Sequence, residues 1–182
     1  MSTTTQLMTA EELLRLPDSP YQHELVKGEL ITMSLPGEEH GAVIMNIAAP
    51  LALYVKRNGL GVVYGETGFQ IERNPDTVLG PDTAFVRQDR VEKSPISKGY
   101  RFGAPDLVVE VNSPSDSMKK IERKIQLWLS AGARIVWSVD PKTRTVTVYE
   151  GPDAVTVLTE ADELTGGDVV PGFRLPVPEL FI

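Results

Sequence analysis

Ala104-Pro105-Asp106-Leu107-Val108-Val109-Glu110-Val111 is the stretch that decides how this chain folds. A turn-forming proline and an acid lead into a β-branched, apolar run that reads as a buried strand. Ser113-Pro114-Ser115-Asp116 follows and opens a helix over about 116–130, with Ile121, Ile125, Trp128 and Leu129 as its apolar stripe. Ala131-Gly132-Ala133 closes that helix, and Arg134 to Val139 reads as the next strand. Strand 105–112, helix 116–130 and strand 134–139 together predict a βαβ crossover, hence a mixed sheet with helices on both sides.

Upstream, Gly80-Pro81-Asp82-Thr83-Ala84-Phe85-Val86 repeats the pattern of turn, acid and apolar run, and predicts a strand over 82–87. A strand over 61–72 precedes it, and the charged chain from Gln88 to Tyr100 reads as an exposed connection. Residues 39–57 carry helical spacing, with Val43, Ile47, Leu51 and Tyr54 on one face. Pro50 falls inside that pattern and is expected to kink or restart the helix, while Asn58-Gly59 stops it. Tyr21 to Met33 predicts a hairpin about Lys27-Gly28. Thr9 to Leu16 predicts a short helix, with Thr9 and Glu12 as a capping box. Towards the C-terminus, strands are expected over 145–149 and near 154–159, followed by a tail rich in Pro and Gly from Gly166. No repeat or linker interrupts the pattern, so one domain over 1–182 is expected.

Composition narrows the function classes. The apolar fraction of 41% and the charged fraction of 24% are those of an ordinary soluble globular chain. Cysteine is absent, which removes thiol catalysis, disulfides and Cys-ligated zinc. No apolar run reaches membrane-spanning length, and no charged segment leads into an apolar one at the N-terminus, so a cytoplasmic protein is expected. The net charge of −7 weighs against a polyanionic ligand, but it is unevenly spread. Residues 1–40 hold seven acids and two bases, and 150–182 hold seven acids and one base. The middle holds eleven acids against fifteen Lys and Arg, so it is +4 between flanks that sum to −11. The field where a ligand sits matters more than the whole-chain sum.

Two carboxylates stand out. Asp82 begins its strand, and Glu110 lies inside an apolar one, sharing a strand face with Asp106, Val108 and Asn112. An acid so placed takes up a proton or finds a counter-charge. Acids at the ends of neighbouring core strands are natural partners of a shared divalent cation, Mg²⁺ or Mn²⁺. The plainer alternative is a structural ion pair with an arginine. Lys124 sits about 60° around the helix from Ile121, at the border of core and solvent, within reach of Glu110. Its plainer role is that of a snorkelling lysine covering its own helix. Lys120 lies one turn earlier on the same side. Asp106 is a weaker metal candidate, with capping of the strand entry as its alternative. Glu38 and Glu39 suit a helix N-terminus without further function. His40 is a candidate for hydrogen bonding or proton handling near the site, whereas Trp128 and Trp137 read as core. Glu66, between Gly65 and Thr67, carries no assigned role.

The chain also resembles the Uma-type family of restriction-endonuclease-like proteins, formerly a domain of unknown function. Tyr21 to Met33, Pro36 through His40, Gly59-Leu60-Gly61, Pro81 to Val86 and Ala104 to Val111 carry the likeness. Ser113-Pro114-Ser115, Lys124 through Gly132, Trp137 to Pro141 and Pro171 to Pro176 continue it in the family's order. The resemblance implies an α/β (α+β) fold of the PD-(D/E)xK nuclease superfamily: a mixed β-sheet core flanked by helices, with an N-terminal helix and a β-hairpin. It implies Asp82 and Glu110 as metal ligands and Asp82, Glu110 and Lys124 as the catalytic set. The superfamily's usual lysine position, two residues after the second acid, holds Asn112 here, and Lys124 matches a form in which the lysine has moved to the helix. Pro50 and Tyr21-Gln22-His23-Glu24 depart slightly from the pattern, and neither is expected to touch the proposed metal acids.

The expectation is thus a Mg²⁺- or Mn²⁺-dependent endonuclease acting on nucleic acid, DNA first, with a homodimer the simplest way to cut both strands of a duplex. Two rivals stand beside it: a non-catalytic nuclease-like scaffold that binds nucleic acid or a protein, and a metal hydrolase of small phosphorylated compounds.

Overall fold

In a computed structural model, residues 7–94, 96–114, 116–151 and 153–181 are described. Ser115, in the segment leading to the crossover helix, lies outside them. The expected capping box opens α1 (Ala10–Leu14): Thr9 Oγ1 accepts the Glu12 N–H at 3.2 Å, and Glu12 Oε2 accepts the Thr9 N–H at 2.7 Å. The hairpin follows as β1 (Gln22–Val26) and β2 (Glu29–Met33). Lys27 and Gly28 between them both have positive φ, 52° and 79°, as the tight turn of a right-twisted hairpin requires.

Helix α2 (Glu38–Arg57) does not restart at Pro50. Val43, Ile47, Leu51 and Val55 are all buried along one stripe. Their burial, about 1.5–3 kcal/mol each, outweighs the roughly 3 kcal/mol that an interior proline costs.

The expected strand 61–72 is two strands in different sheets, β3 (Gly61–Gly65) and β4 (Phe69–Glu72). Glu66 between them sits at φ 44°, where the chain turns from one sheet to the other. Next come β5 (Thr77–Leu79), which the sequence reading did not anticipate, and β6 (Thr83–Arg87), which begins one residue after Asp82. The segment read as an exposed connection contains α3 (Gln88–Lys93), helical but with no buried residue, and the short β7 (Arg101–Phe102) follows directly after it. The crossover is β8 (Leu107–Val111), α4 (Met118–Ser130) and β9 (Ile135–Asp140), with β8 and β9 parallel as expected. β10 (Thr145–Tyr149) and β11 (Val155–Leu158) extend the sheet. The Pro- and Gly-rich tail is ordered as β12 (Glu163–Gly166), β13 (Val170–Pro176) and a 3-10 turn (Val177–Leu180).

The central sheet runs β11-β10-β9-β8-β6-β3, beside a second sheet ordered β2-β1-β5-β4-β7. β8 is buried along its whole length because both faces are covered. Leu107, Val109 and Val111 pack with α2 and with Phe173, Leu175 and Leu180 of the tail. Val108 packs on the other side with Ile125 and Trp128 of α4 and with Phe69 of the second sheet. Glu110 therefore lies on the α4 side, among apolar neighbours. Leu25 pairs with Val78 across β1 and β5, which brings Glu24 beside the Gly80 turn. Among the described residues no helix is long and apolar enough to cross a membrane.

Candidate active site

Asp82, Glu110 and Lys124 line one cleft of about 380 Å³, walled by the β2–α2 connection, the end of β8 and the start of α4. Asp82 is fixed by the backbone, its Oδ2 accepting the Val111 N–H at 2.6 Å. Thr83 of β6 pairs with Val109 of β8, so that register sets the acid beside the end of β8. Glu110 is 9% exposed and satisfied at both oxygens. Trp128 Nε1–H donates to its Oε1 at 2.7 Å, and the Lys124 ammonium lies 3.0 Å from its Oε2. Trp128 is core, as read from its spacing, and in addition ties α4 to the acid.

Lys124 makes two further contacts, with Glu24 Oε1 at 3.0 Å and the Gly80 carbonyl at 3.0 Å. An ammonium has three N–H donors, and here three acceptors surround it. Glu24, expected not to touch the two acids, lines the same cleft and meets Glu110 through Lys124. Its Oε1 also accepts the Gly80 N–H at 2.8 Å, so a single oxygen ties together hairpin, turn and helix. The signal available was an acid next to the apolar pair Leu25-Val26, the same kind of placement that drew attention to Glu110.

His40 is brought to the cleft by the first turn of α2. Its Nε2 donates to the Val111 carbonyl at 2.8 Å and lies 3.6 Å from Asp82 Oδ2, while buried Nδ1 has no partner among the described residues. Asp106 is turned elsewhere: it accepts the Arg87 N–H at 2.9 Å and pairs with Arg90 at 3.0 Å, which is the strand-entry role and not a cleft role. Asn112 accepts a hydrogen bond from Ser138 at 3.2 Å. Lys120 lines the rim and pairs with Asp116 at 2.6 Å. Glu38, Glu39 and Glu66 do not line the cleft.

The charges are strongly coupled. Burial pushes the Glu110 carboxyl up to about 8, with Asp82 and Glu24 adding to the rise and Lys124 and the Trp128 N–H opposing it. Burial also raises Asp82, against the pull of the Val111 N–H, His40 and Lys124. Burial alone would lower Lys124, but Glu110 and Glu24 outweigh it and hold its proton well above the ordinary lysine range. The ammonium is the fixed charge of the site, and the carboxylates around it are in excess.

The fold is shared with a crystal structure of a protein from Anabaena variabilis ATCC 29413, described as a "putative nuclease belonging to DUF820". The TM-score is 0.82 at 23% identity, covering 96% of this chain and 97% of that one. The chain belongs to the Uma2 family, described as "Putative restriction endonuclease", whose model matches residues 10–178. No curated protein matches it.

Proposed function

We propose that this chain is a divalent-metal-dependent endonuclease that hydrolyses phosphodiester bonds, with DNA as substrate, Asp82 and Glu110 as ligands of Mg²⁺ or Mn²⁺, and Lys124 as the catalytic ammonium. A cytoplasmic homodimer is the form that would meet and cut both strands of a duplex. The observation that carries the reading is one amine 3.0 Å from Glu110, in the cleft that also receives Asp82. The family description and the name of the structural neighbour point to the same reaction class.

The donor set suits a hard cation. Glu24, Asp82 and Glu110, when ionised, carry three negative charges against one on Lys124, an excess equal to the charge of a divalent ion. The acidic side chains of the cleft, Glu24, Asp82 and Glu110, offer oxygen donors. Among the described residues no three acidic or histidine side chains form a ready-made cage. Mg²⁺ keeps several waters and takes one or two carboxylates plus substrate phosphate, and Asp82 and Glu110 would be those carboxylates. Bound there, the cation would polarise the phosphoryl group and lower the pKa of a coordinated water.

The chain's own residues do the rest. Val111 N–H holds Asp82 Oδ2, and Oδ1 would be the oxygen offered to the cation. Trp128 fixes the Glu110 rotamer from beneath. Lys124 orients the attacking water or neutralises charge growing on the phosphoryl oxygens. To do so it must exchange one of its three internal acceptors for the substrate. Glu110 is the acceptor best suited to release, because Glu24 and Gly80 are already bonded to each other.

The same full coordination of Lys124 favours a second reading, a non-catalytic scaffold in which the ammonium is a structural hub. Supercoiled DNA, linear duplex, single strands and RNA incubated with Mg²⁺ or Mn²⁺ separate the two. Nicking or cutting that EDTA stops, and that falls at least about 100-fold in Asp82→Asn, Glu110→Gln and Lys124→Met, supports the nuclease. Binding of DNA without cleavage by wild type supports the scaffold. Turnover confined to small phosphate esters would replace both with a hydrolase of small phosphorylated compounds.

A further inference from the structure

Helix α2 buries one stripe and leaves the opposite face unpartnered among the described residues. Met45 is 59% exposed and Leu53 50% exposed on that face. From His40 to Val55 the helix carries no Asp, Glu, Lys or Arg. The face is framed by Glu38 at one end and Lys56 at the other, 18 residues apart, which is about five full turns and so the same angular position. Neither has an ion-pair partner among the described residues.

We infer that this face is the seat of a second copy of the chain, packed antiparallel against the same helix about a two-fold axis at the level of Ile47. The occupant is read from charge and size together. With that axis, Glu38 of each copy faces Lys56 of the other, so both ends of the seam are paired. Between them large meets small at two pairs, Leu53 opposite Gly41 and Met45 opposite Ala49, and Ala42 faces Ala52. A Cβ at Gly41 would meet nothing within 4 Å in the single chain, so the space a second copy's leucine needs is open. Antiparallel helices also set opposite dipole ends side by side. An isologous contact needs such a self-complementary patch. An unrelated partner would not require acid and base at mirrored positions of one helix. The face lies outside the cleft lining beyond the helix's first turn, so the inference stands whether or not the cleft cuts nucleic acid.

Sedimentation of the full chain tests it. Wild type is expected to sediment as a dimer. Ala49→Glu, which sets a charge in the seam at an exposed position, is expected to give a monomer with an unchanged circular dichroism spectrum. Lys56→Glu should raise the dimer dissociation constant about tenfold, and Glu38→Lys combined with Lys56→Glu should return it to the wild-type value. A monomeric wild type overturns the inference. So does a dimer that survives Ala49→Glu, or a charge-swapped double variant no tighter than Lys56→Glu alone.

Discussion

Replacing Glu110 with glutamine should reverse the order of stability between wild type and variant as pH rises, in metal-free protein. The carboxyl is pushed up to about 8 in the fold, burial being the main cause, from an unfolded value of 4.5. A group raised on folding favours the native state while it stays protonated there. Its contribution is intact below pH 4.5 and is lost as pH climbs through about 8. The unfolded chain binds fewer protons across that window, so wild type loses about 1.4 kcal/mol per pH unit for this one group in mid-window. Between pH 5 and pH 8 the loss comes to about 3 kcal/mol. Glutamine does not titrate and removes that slope.

Glutamine carries its own penalty. Glu110 accepts hydrogen bonds at both oxygens, from Trp128 and from Lys124. Glutamine has one acceptor, so its amide N–H₂ must face one of those donors at a cost of about 1–3 kcal/mol. At pH 5 the variant should therefore be the weaker protein by that amount. At pH 8 it should equal or exceed wild type. Asp82, also raised by burial, slopes the same way in both proteins. Urea denaturation in EDTA at pH 5, 6, 7 and 8 reads the result. Two curves that stay parallel within about 0.5 kcal/mol would refute the reasoning, because they would mean that Lys124 keeps Glu110 ionised despite its burial.

Lys124→Met leaves Glu24 and Glu110 buried without their cation and should cost about 3–5 kcal/mol at pH 8, less in acid, as denaturation at the two pH values would show. Asp106→Asn removes the charge that holds Arg90 and should cost about 2 kcal/mol; any Mg²⁺-induced rise in melting temperature should be unchanged, and its loss would place Asp106 in the metal site after all. Gly61→Ala should destabilise by about 3 kcal/mol or more in urea, since φ is 152° there and the added Cβ would collide with the Val86 carbonyl; a neutral result would show that β3 can shift away from β6.

The crossover was legible because its signals are local. A five-residue apolar strand, a 13-residue helix with one greasy stripe and a second strand leave few arrangements, and handedness removes most of those. The break at residue 66 was not legible. Apolar residues on both sides of it read as one strand, and only the second sheet, joined by pairings over long separations, shows why the chain turns there. The tail misled for the opposite reason. Proline and glycine mark turns, but Phe173, Leu175, Val177 and Leu180 between them pack with the buried stripe of α2 and with the sheet. Of the candidate site, Asp82, Glu110 and Lys124 could be named together from pattern and resemblance. Glu24 could not, because nothing local links residue 24 to residue 124.

That missed residue explains how a lysine on a helix can serve an acid on a strand. Two positions after Glu110, alternation would put a side chain on the same face of β8, and Asn112 there is engaged by Ser138. The amine comes from α4 instead, and a long side chain on a helix face has rotamer freedom to lose. Three fixed points remove it. Trp128, one turn further along α4, donates to Glu110 and sets the helix against the strand. Gly80 offers its carbonyl from the turn that leads to Asp82, and Glu24 clamps that turn through the Gly80 N–H. Deleting the Glu24 carboxylate should therefore loosen Lys124 and the Asp82 turn together, although residue 24 need never touch the substrate. Glu24→Gln keeps an acceptor of the same length but drops the charge. If cleavage is found, it should retain part of the activity that Glu24→Ala loses. Equal loss in both would mean that the second negative charge on Lys124 matters more than the geometry it holds.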